Sequence, residues 1–123
     1  GCSEKIPLNW ALSHHFKKIV VVRTKDESFR RDVNLKKSAQ KARFYKNYPS
    51  FAASLIKSNL RYNKTCDKLT ALKQSGRIFV FAPSVPVTVS RLEGDMEKLG
   101  GLYYLGYSDA KRQMAALKEY LSA

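Results

Sequence analysis

The serines of this sequence are the first candidates for a catalytic nucleophile. The chain holds 12 serines, but a catalytic serine also needs a positioned base and an oxyanion hole. In its strand–turn–helix form it further needs flanking glycines, because the turn that exposes the hydroxyl is sharp. Only Ser75 directly precedes a glycine, and it lies where a helix is expected to end. We therefore predict no intrinsic acyl-transfer activity for this chain.

Two adjacent histidines and a short acidic run are the remaining candidates for bases or metal ligands. His14 and His15 would point about 100° apart on a helix, so they are poorly placed to share a ligand, unlike residues four apart. Glu93, Asp95 and Glu97 lack the glycine and the ligand spacing of a calcium loop. Helix capping and surface charge explain these side chains better, and we expect neither a metal nor a cofactor.

Cys2 and Cys66 are the only cysteines. Neither falls in a CxxC or Cys/His spacing typical of zinc sites. We interpret them as two reduced thiols, with a disulfide between them as the alternative.

Positive charge is concentrated in one part of the chain. Residues 17–77 hold 17 of the 23 lysines and arginines but only four acids, whereas the segment after Arg77 has five basic and five acidic residues. Such a surplus suits anionic lipid, nucleic acid or an acidic partner surface, and the alternative is an ordinary solvated helix face. The candidate residues for binding an anionic surface are Arg30, Arg31, Lys36, Lys37, Lys41, Arg43 and Lys46.

Aromatic residues alternate with these cations, as they do in proteins that bind single-stranded nucleic acid by stacking and charge. Phe44, Tyr48 and Phe51 also lie at helical spacing. That spacing favours a core position, or packing against a missing half, over a stacking platform. A membrane-facing surface is the alternative, and we do not expect specific nucleic-acid binding.

Two apolar runs predict the strands that would position any site. Residues 19–22 form a β-branched run, and residues 77–82 form a second apolar run that ends at Pro83. Continuous apolar character predicts strands buried on both faces, as in a parallel sheet. The sequence therefore predicts parallel strands at about 18–23 and 77–82, joined by crossover helices.

Helical patterns fill the rest of the chain. Pro7 fits the first turn of a helix through His15, with Trp10 and Leu12 as core contacts. One helix is predicted over residues 36–47, and another from Pro49 to a terminating Gly76.

The C-terminal segment predicts two helices. Residues 90–93 have the spacing of a capping box, and Asp95 is a second candidate N-cap. From Asp95 one helix is predicted through residue 105, with Gly106 as its terminator. Ser108 would cap the final helix.

Several segments together resemble one known family. Residues 76–84 read Gly-Arg-Ile-Phe-Val-Phe-Ala-Pro-Ser, residues 87–93 read Val-Thr-Val-Ser-Arg-Leu-Glu, and residues 102–110 read Leu-Tyr-Tyr-Leu-Gly-Tyr-Ser-Asp-Ala. These segments resemble the closing region of bacterial patatin-like phospholipases, as do residues 18–24, 42–48 and 98–99. Gly1 resembles the last glycine of the Asp-Gly-Gly (or Asp-Gly-Ala) motif of that family, and Cys2 and Ser3 resemble the residues that come directly after it. The aspartate of the motif is half of a Ser–Asp catalytic pair.

The resemblance implies that residues 1–123 are the C-terminal part of such an enzyme, beginning just after the motif. The implied fold is part of a three-layer α/β/α sandwich, and the implied parent hydrolyses lipid carboxylic esters through a serine, without a cofactor. Gly1, Cys2 and Ser3 would adjoin the aspartate, and the partner of this chain would be the N-terminal half. We then expect a cytoplasmic protein that can associate peripherally with membranes and exposes strand edges prone to self-association.

A small basic α/β module that binds nucleic acid or anionic surfaces is the alternative interpretation. At 123 residues the chain is long enough for one modest domain of its own. The encoded sequence immediately upstream would discriminate between the two hypotheses.

Overall fold

The computed structural model describes residues 4–123. In this range the strands are β1 (Val20–Val22) and β2 (Phe79–Phe81), and the helices are α1 (Leu8–Ser13), α2 (Leu35–Ala42), α3 (Pro49–Ile56), α4 (Ser58–Gln74) and α5 (Met96–Ser122). A 3₁₀ turn, Arg43–Tyr45, comes after α2. No helix in the described range is both long and apolar enough to cross a membrane.

The two strands pair in parallel. Val20 lies opposite Phe79, Val21 opposite Val80 and Val22 opposite Phe81. A parallel pair requires a long crossover, and here the crossover contains α2, α3 and α4. The predicted parallel strands and the mixed α/β class are confirmed, whereas the three-layer sandwich remains a prediction.

The two strands differ in how much of their side chains is exposed to solvent. Val80 of β2 is buried, as is Ile78 just before it, but Val20 and Val22 of β1 are 41% and 75% exposed. Successive side chains of a strand point to opposite faces, so the described residues leave one face of β1 largely uncovered. The prediction that both strands are buried on both faces is therefore wrong for β1 within this chain.

The crossover helices are shorter than their sequence pattern suggested. Asn34 begins α2 because its side chain accepts a hydrogen bond from the Lys37 backbone N–H at 3.0 Å. The helix predicted from Pro49 to Gly76 is two helices, since Lys57 has φ −92° and ψ 0°, at the edge of the helical region. Pro49 does occupy the first turn of α3, where its missing N–H is not needed.

Gly76 ends α4 as predicted. Its φ of 74° lies in the left-handed region, which glycine enters without a Cβ clash. The Gly76 N–H bonds to the Lys73 carbonyl and the Arg77 N–H to the Leu72 carbonyl, both at 3.0 Å. These two bonds form a Schellman motif, which turns the chain out of α4 towards β2.

Replacing Gly76 with alanine is expected to lower the free energy of unfolding by about 1–2 kcal/mol, because an L-residue at this φ meets its own backbone. Urea unfolding followed by circular dichroism would measure the change. Gly101→Ala is the matched control: a Cβ there meets nothing within 4 Å, and a mid-helix alanine should stabilise the chain by roughly 0.5–1 kcal/mol. Equal changes in the free energy of unfolding at both positions would contradict a stabilising role of Gly76 in the Schellman motif.

The C-terminal segment is one helix, not two. Asp95 caps α5 by accepting from the Glu97 N–H at 2.9 Å and the Lys98 N–H at 3.4 Å, so the second N-cap candidate is correct and the capping box at residues 90–93 is wrong. Gly106 and Ser108 lie inside α5. Each of the three glycines inside α5, Gly100, Gly101 and Gly106, costs the helix about 1 kcal/mol, and the packing of α5 against β2 helps to offset this cost.

The chain forms two compact units. The helical unit contains residues 4–16 and 30–70, and its core includes Leu8, Tyr62, Cys66 and Leu69, each at most 9% exposed. Trp10 is 57% exposed, so its predicted core position is wrong. It packs instead on the His14 ring, with the ring centroids 4.1 Å apart.

The sheet unit contains Lys17–Phe29 and Ala71–Ala123. Its core includes Ile19, Ile78 and Val80, and α5 packs against β2. Cys66 is buried in the helical unit, whereas Cys2 lies outside the described residues, so neither interpretation of the two cysteines is tested.

Candidate functional site

A cleft lies at the carboxyl ends of the two strands, within the sheet unit. Since the strands are parallel, the residues that come after them meet at one edge of the sheet, where open α/β sheets commonly bind ligands. The cleft has a volume of about 440 Å³. Its polar lining consists of Asp26, Glu27, Ser28, Lys73, Ser84 and Gln113. We call it the edge cleft.

Asp26 and Ser28 form a turn at one wall of the edge cleft. Asp26 is 8% exposed, and its carboxylate accepts a hydrogen bond from the Ser28 hydroxyl. The Phe29 backbone N–H closes the same turn by bonding to the Asp26 carbonyl at 3.2 Å. A serine bonded to an aspartate two residues away is a common turn contact, so this pair does not by itself indicate a catalytic dyad.

Glu27 and Lys73 form an ion pair across the same cleft. Both side chains are 43% exposed, and an ion pair in contact with water stabilises a fold by at most about 1 kcal/mol. The pair therefore supplies the cleft with one charge of each sign and adds little to stability.

Asp109 of α5 is the most deeply buried carboxylate of the sheet unit. Its side chain is 5% exposed, and it accepts a hydrogen bond from the Ser84 backbone N–H at 2.8 Å. The Arg112 guanidinium donates a second bond. The bond from the Ser84 N–H, helped by Arg112, holds the pKa of Asp109 below its ordinary value despite burial. Asp109 thus fixes the backbone just after β2 to α5.

Tyr120 makes the corresponding contact at the other end of the sheet. Its hydroxyl accepts from the Ile19 N–H and donates to the Arg77 carbonyl, both at 3.0 Å. Its ring packs 5.8 Å from that of Phe79, measured between centroids. Together with Asp109, Tyr120 aligns α5 along β2 and so sets the geometry of the edge cleft.

The edge cleft has groups for binding polar ligands, since it offers carboxylates, a lysine and an amide. Within residues 4–123 no cluster of three or more His, Cys, Asp or Glu side chains could hold a metal ion. His14 Nδ1 lies 2.8 Å from the Trp10 carbonyl oxygen, and His15 comes after α1 at φ 55°.

The seven predicted anion-binding residues all lie in the helical unit, but they divide into two groups. Arg30 is half-buried and pairs with Asp67, with Nη2–Oδ1 at 2.8 Å. Arg31 exchanges backbone–amide hydrogen bonds with Asn63 and lies over the Tyr62 ring at 4.8 Å. These two arginines are therefore engaged in contacts within the helical unit. The other five are exposed, namely Lys36, Lys37, Lys41, Arg43 and Lys46.

Two aromatic residues near these cations lie on the surface. Phe44 is 89% exposed and Tyr48 is 67% exposed, whereas Phe51 is half-buried and packs edge-on against Tyr45. Phe44 and Tyr48 therefore do not lie in a core within this chain, whereas packing against a missing half stays a prediction. Helical spacing alone could not tell which face of this segment would be covered.

Gly1, Cys2 and Ser3 lie outside the described residues, so their predicted position beside an aspartate is not tested. Sequence reasoning also missed Asp109 and Tyr120 as the contacts that shape the edge cleft. The Gly-Tyr-Ser-Asp-Ala segment was a signal for Asp109, but its partner Ser84 lies 25 residues away.

A comparison with protein families gave a match over the later part of the chain. Residues 48–122 match the family described as a domain of unknown function, DUF6363. The chain belongs to this family. The DUF6363 match begins just before α3 and includes α4, β2 and α5, so Asp109, Tyr120 and most of the lining of the edge cleft fall within it. Neither the curated proteins nor the solved structures gave a match.

Proposed function

We propose that this chain is the C-terminal part of a patatin-like serine ester hydrolase that acts on lipids. The proposal joins the sequence resemblance in residues 76–110 to the fold. In the proposed parent, the chain adds two parallel strands and the helices α1–α5 to a larger sheet. The nucleophilic serine and its aspartate would both come from the N-terminal half.

The observation that carries the proposal is the uncovered apolar surface of β1. Val22 is 75% exposed and Val20 41% exposed, although a short β-branched strand of a parallel sheet is normally buried on both faces. Each strand also has one edge without a strand partner among the described residues. Additional strands and helices from another segment would cover both features.

The position of the edge cleft supports the same proposal. Ligands of open α/β sheets bind outside the carboxyl ends of the strands, and the edge cleft lies at these ends. In the parent enzyme the turn of Asp26 and Ser28 would then face the side of the sheet that carries the reaction. Gly1, Cys2 and Ser3 would shape the turn that holds the catalytic aspartate.

The chemistry proposed for the parent is hydrolysis through an acyl-enzyme. A serine hydroxyl attacks the ester carbonyl while the aspartate takes its proton, and the ester C–O bond breaks as that proton passes to the departing alcohol. Water then attacks the acyl-enzyme, which releases the fatty acid and restores the serine hydroxyl. This chain supplies none of these reacting groups. Its role is to complete the sheet that holds them in place.

A fluorophosphonate probe, which labels activated serines, would test the proposal. The probe should label the protein encoded by the whole gene and leave the 123-residue chain unlabelled, and only the former should hydrolyse p-nitrophenyl butyrate. The encoded sequence should place Asp-Gly immediately before Gly1 and a GxSxG motif further upstream. Labelling of the isolated chain, or an upstream sequence without these motifs, would overturn the proposal.

A further inference from the structure

The segment around α2 carries an unbalanced positive charge on an exposed surface. Residues 33–66 contain eight lysines and arginines and no acidic residue. Five of these cations lie on or next to α2, are exposed and form no ion pair within residues 4–123. We call these five the cationic face: Lys36, Lys37, Lys41, Arg43 and Lys46.

An apolar ring lies on the same helical segment as the cationic face, between Arg43 and Lys46 in the sequence. The helical backbone continues from α2 through the 3₁₀ turn, with Ala42, Arg43 and Lys46 all in the right-handed helical region. Phe44 therefore lies one turn beyond Lys41, which itself lies one turn beyond Lys37. Phe44 is 89% exposed and has no polar atom in its side chain, so water is an unfavourable environment for it.

We propose that the cationic face docks on anionic lipid bilayers, with the Phe44 ring inserted among the headgroups. Cations near an anionic leaflet are attracted to its surface potential, and an apolar side chain beside them gains by entering the acyl boundary. Both components occur here within one helical segment. The inference does not depend on ester hydrolysis, so it can fail while the proposed function stands.

Aliphatic side chains on the same segment favour lipid over nucleic acid. Val33 is 41% exposed and Leu35 is 52% exposed, and both lie at the start of α2. Aromatic rings can stack on bases, but valine and leucine have no flat surface for stacking. A lipid interface accommodates both kinds of side chain.

Co-sedimentation of the full 123-residue chain with vesicles would test the proposal. We expect partition into vesicles of phosphatidylcholine with about one third phosphatidylserine, and little into phosphatidylcholine alone. Binding should weaken strongly at about 1 M salt, where the Debye length falls to about 3 Å. Equal partition into both vesicle types would overturn the proposal.

A charge-reversal pair and a matched control locate the surface. Lys37→Glu with Lys41→Glu should weaken partition by roughly several hundredfold, since the pair changes the charge near the leaflet by four and each unit charge changes binding about fivefold. Lys111→Glu with Lys118→Glu, two exposed residues of α5, makes the same change in net charge and should have little effect. Equal losses in the two pairs would mean that net charge alone drives binding, which would contradict docking through the cationic face.

Insertion of the ring has its own readout. Phe44→Ala should weaken partition by roughly tenfold, whereas Tyr104→Ala, at a site 70% exposed on α5, should not. In Phe44→Trp the emission added above the Trp10 background should shift to the blue on anionic vesicles. The proposal would be overturned if the emission did not shift and the chain bound no vesicles. Tight binding of a single-stranded oligonucleotide in the same experiment would then identify nucleic acid as the ligand.

Discussion

Replacing Asp109 with alanine is expected to lower the free energy of unfolding by about 2–3 kcal/mol. The carboxylate is buried and accepts hydrogen bonds from the Ser84 backbone and from Arg112. Its removal leaves the Ser84 N–H without this partner, and a lost hydrogen bond to a charged group costs about 1.5–3 kcal/mol. Urea unfolding at neutral pH would measure the loss, with Asp95→Ala as a control that removes an exposed cap and should cost only about 1 kcal/mol.

The contribution of Asp109 should also depend on pH. Because the pKa of the folded carboxyl lies below its unfolded value of 3.8, the stabilisation is present above that value and is lost as pH falls through the folded pKa. Asp109→Asn keeps the shape of the side chain but cannot ionise. The stability gap between the native chain and Asp109→Asn should therefore shrink as pH falls below about 4, and a gap that stays constant down to acid pH would contradict this account.

The isolated chain is expected to self-associate through the uncovered surface of β1. Val22 is 75% exposed on a strand with an open edge, and such edges pair readily with other chains. Val22→Lys should shift the chain to monomer by weakening association at least about tenfold, because a lysine on an edge strand opposes pairing. Sedimentation velocity over a range of concentrations would measure this.

Leu92→Lys is the control for this experiment. Leu92 is 93% exposed but lies in the irregular segment before α5, so the substitution adds the same charge away from the strand. It should leave association unchanged. A native chain that remains monomeric at every concentration and binds no apolar dye would refute the expectation.

The positions of the two strands could be predicted because their signals are local. Two short apolar runs, one rich in β-branched residues, marked β1 and β2, and the long helical connection between them is typical of a parallel pair. Each strand is nevertheless three residues long, shorter than the run that predicted it. Gly76 was predictable for the same reason, since a glycine after a helical pattern is a common terminator. These inferences depend only on neighbours along the chain.

The predictions that were wrong concern features that depend on a contact distant in sequence, or on whether another segment covers a side chain. Gly106 does not end a helix, because the part of α5 that comes after it is held to the sheet by Asp109 and Tyr120. Phe44 has the spacing of a core residue, yet spacing does not say whether anything covers that face. Val22 has the residue type of a buried strand, yet its burial depends on residues that the described chain does not supply.

The Tyr120 contact has a consequence for the order in which the protein can fold during synthesis. Tyr120 bonds to Ile19, which lies 101 residues earlier in the sequence. This contact can therefore form only after Tyr120 has been synthesised. At a synthesis rate of about 5–20 residues per second, residues 19–22 leave the ribosome roughly 5–20 seconds before Tyr120. The strand partner of β1 is β2, which leaves the ribosome roughly 3–12 seconds after β1 at the same rate. For that shorter interval the apolar strand is unpaired and open to association with other chains.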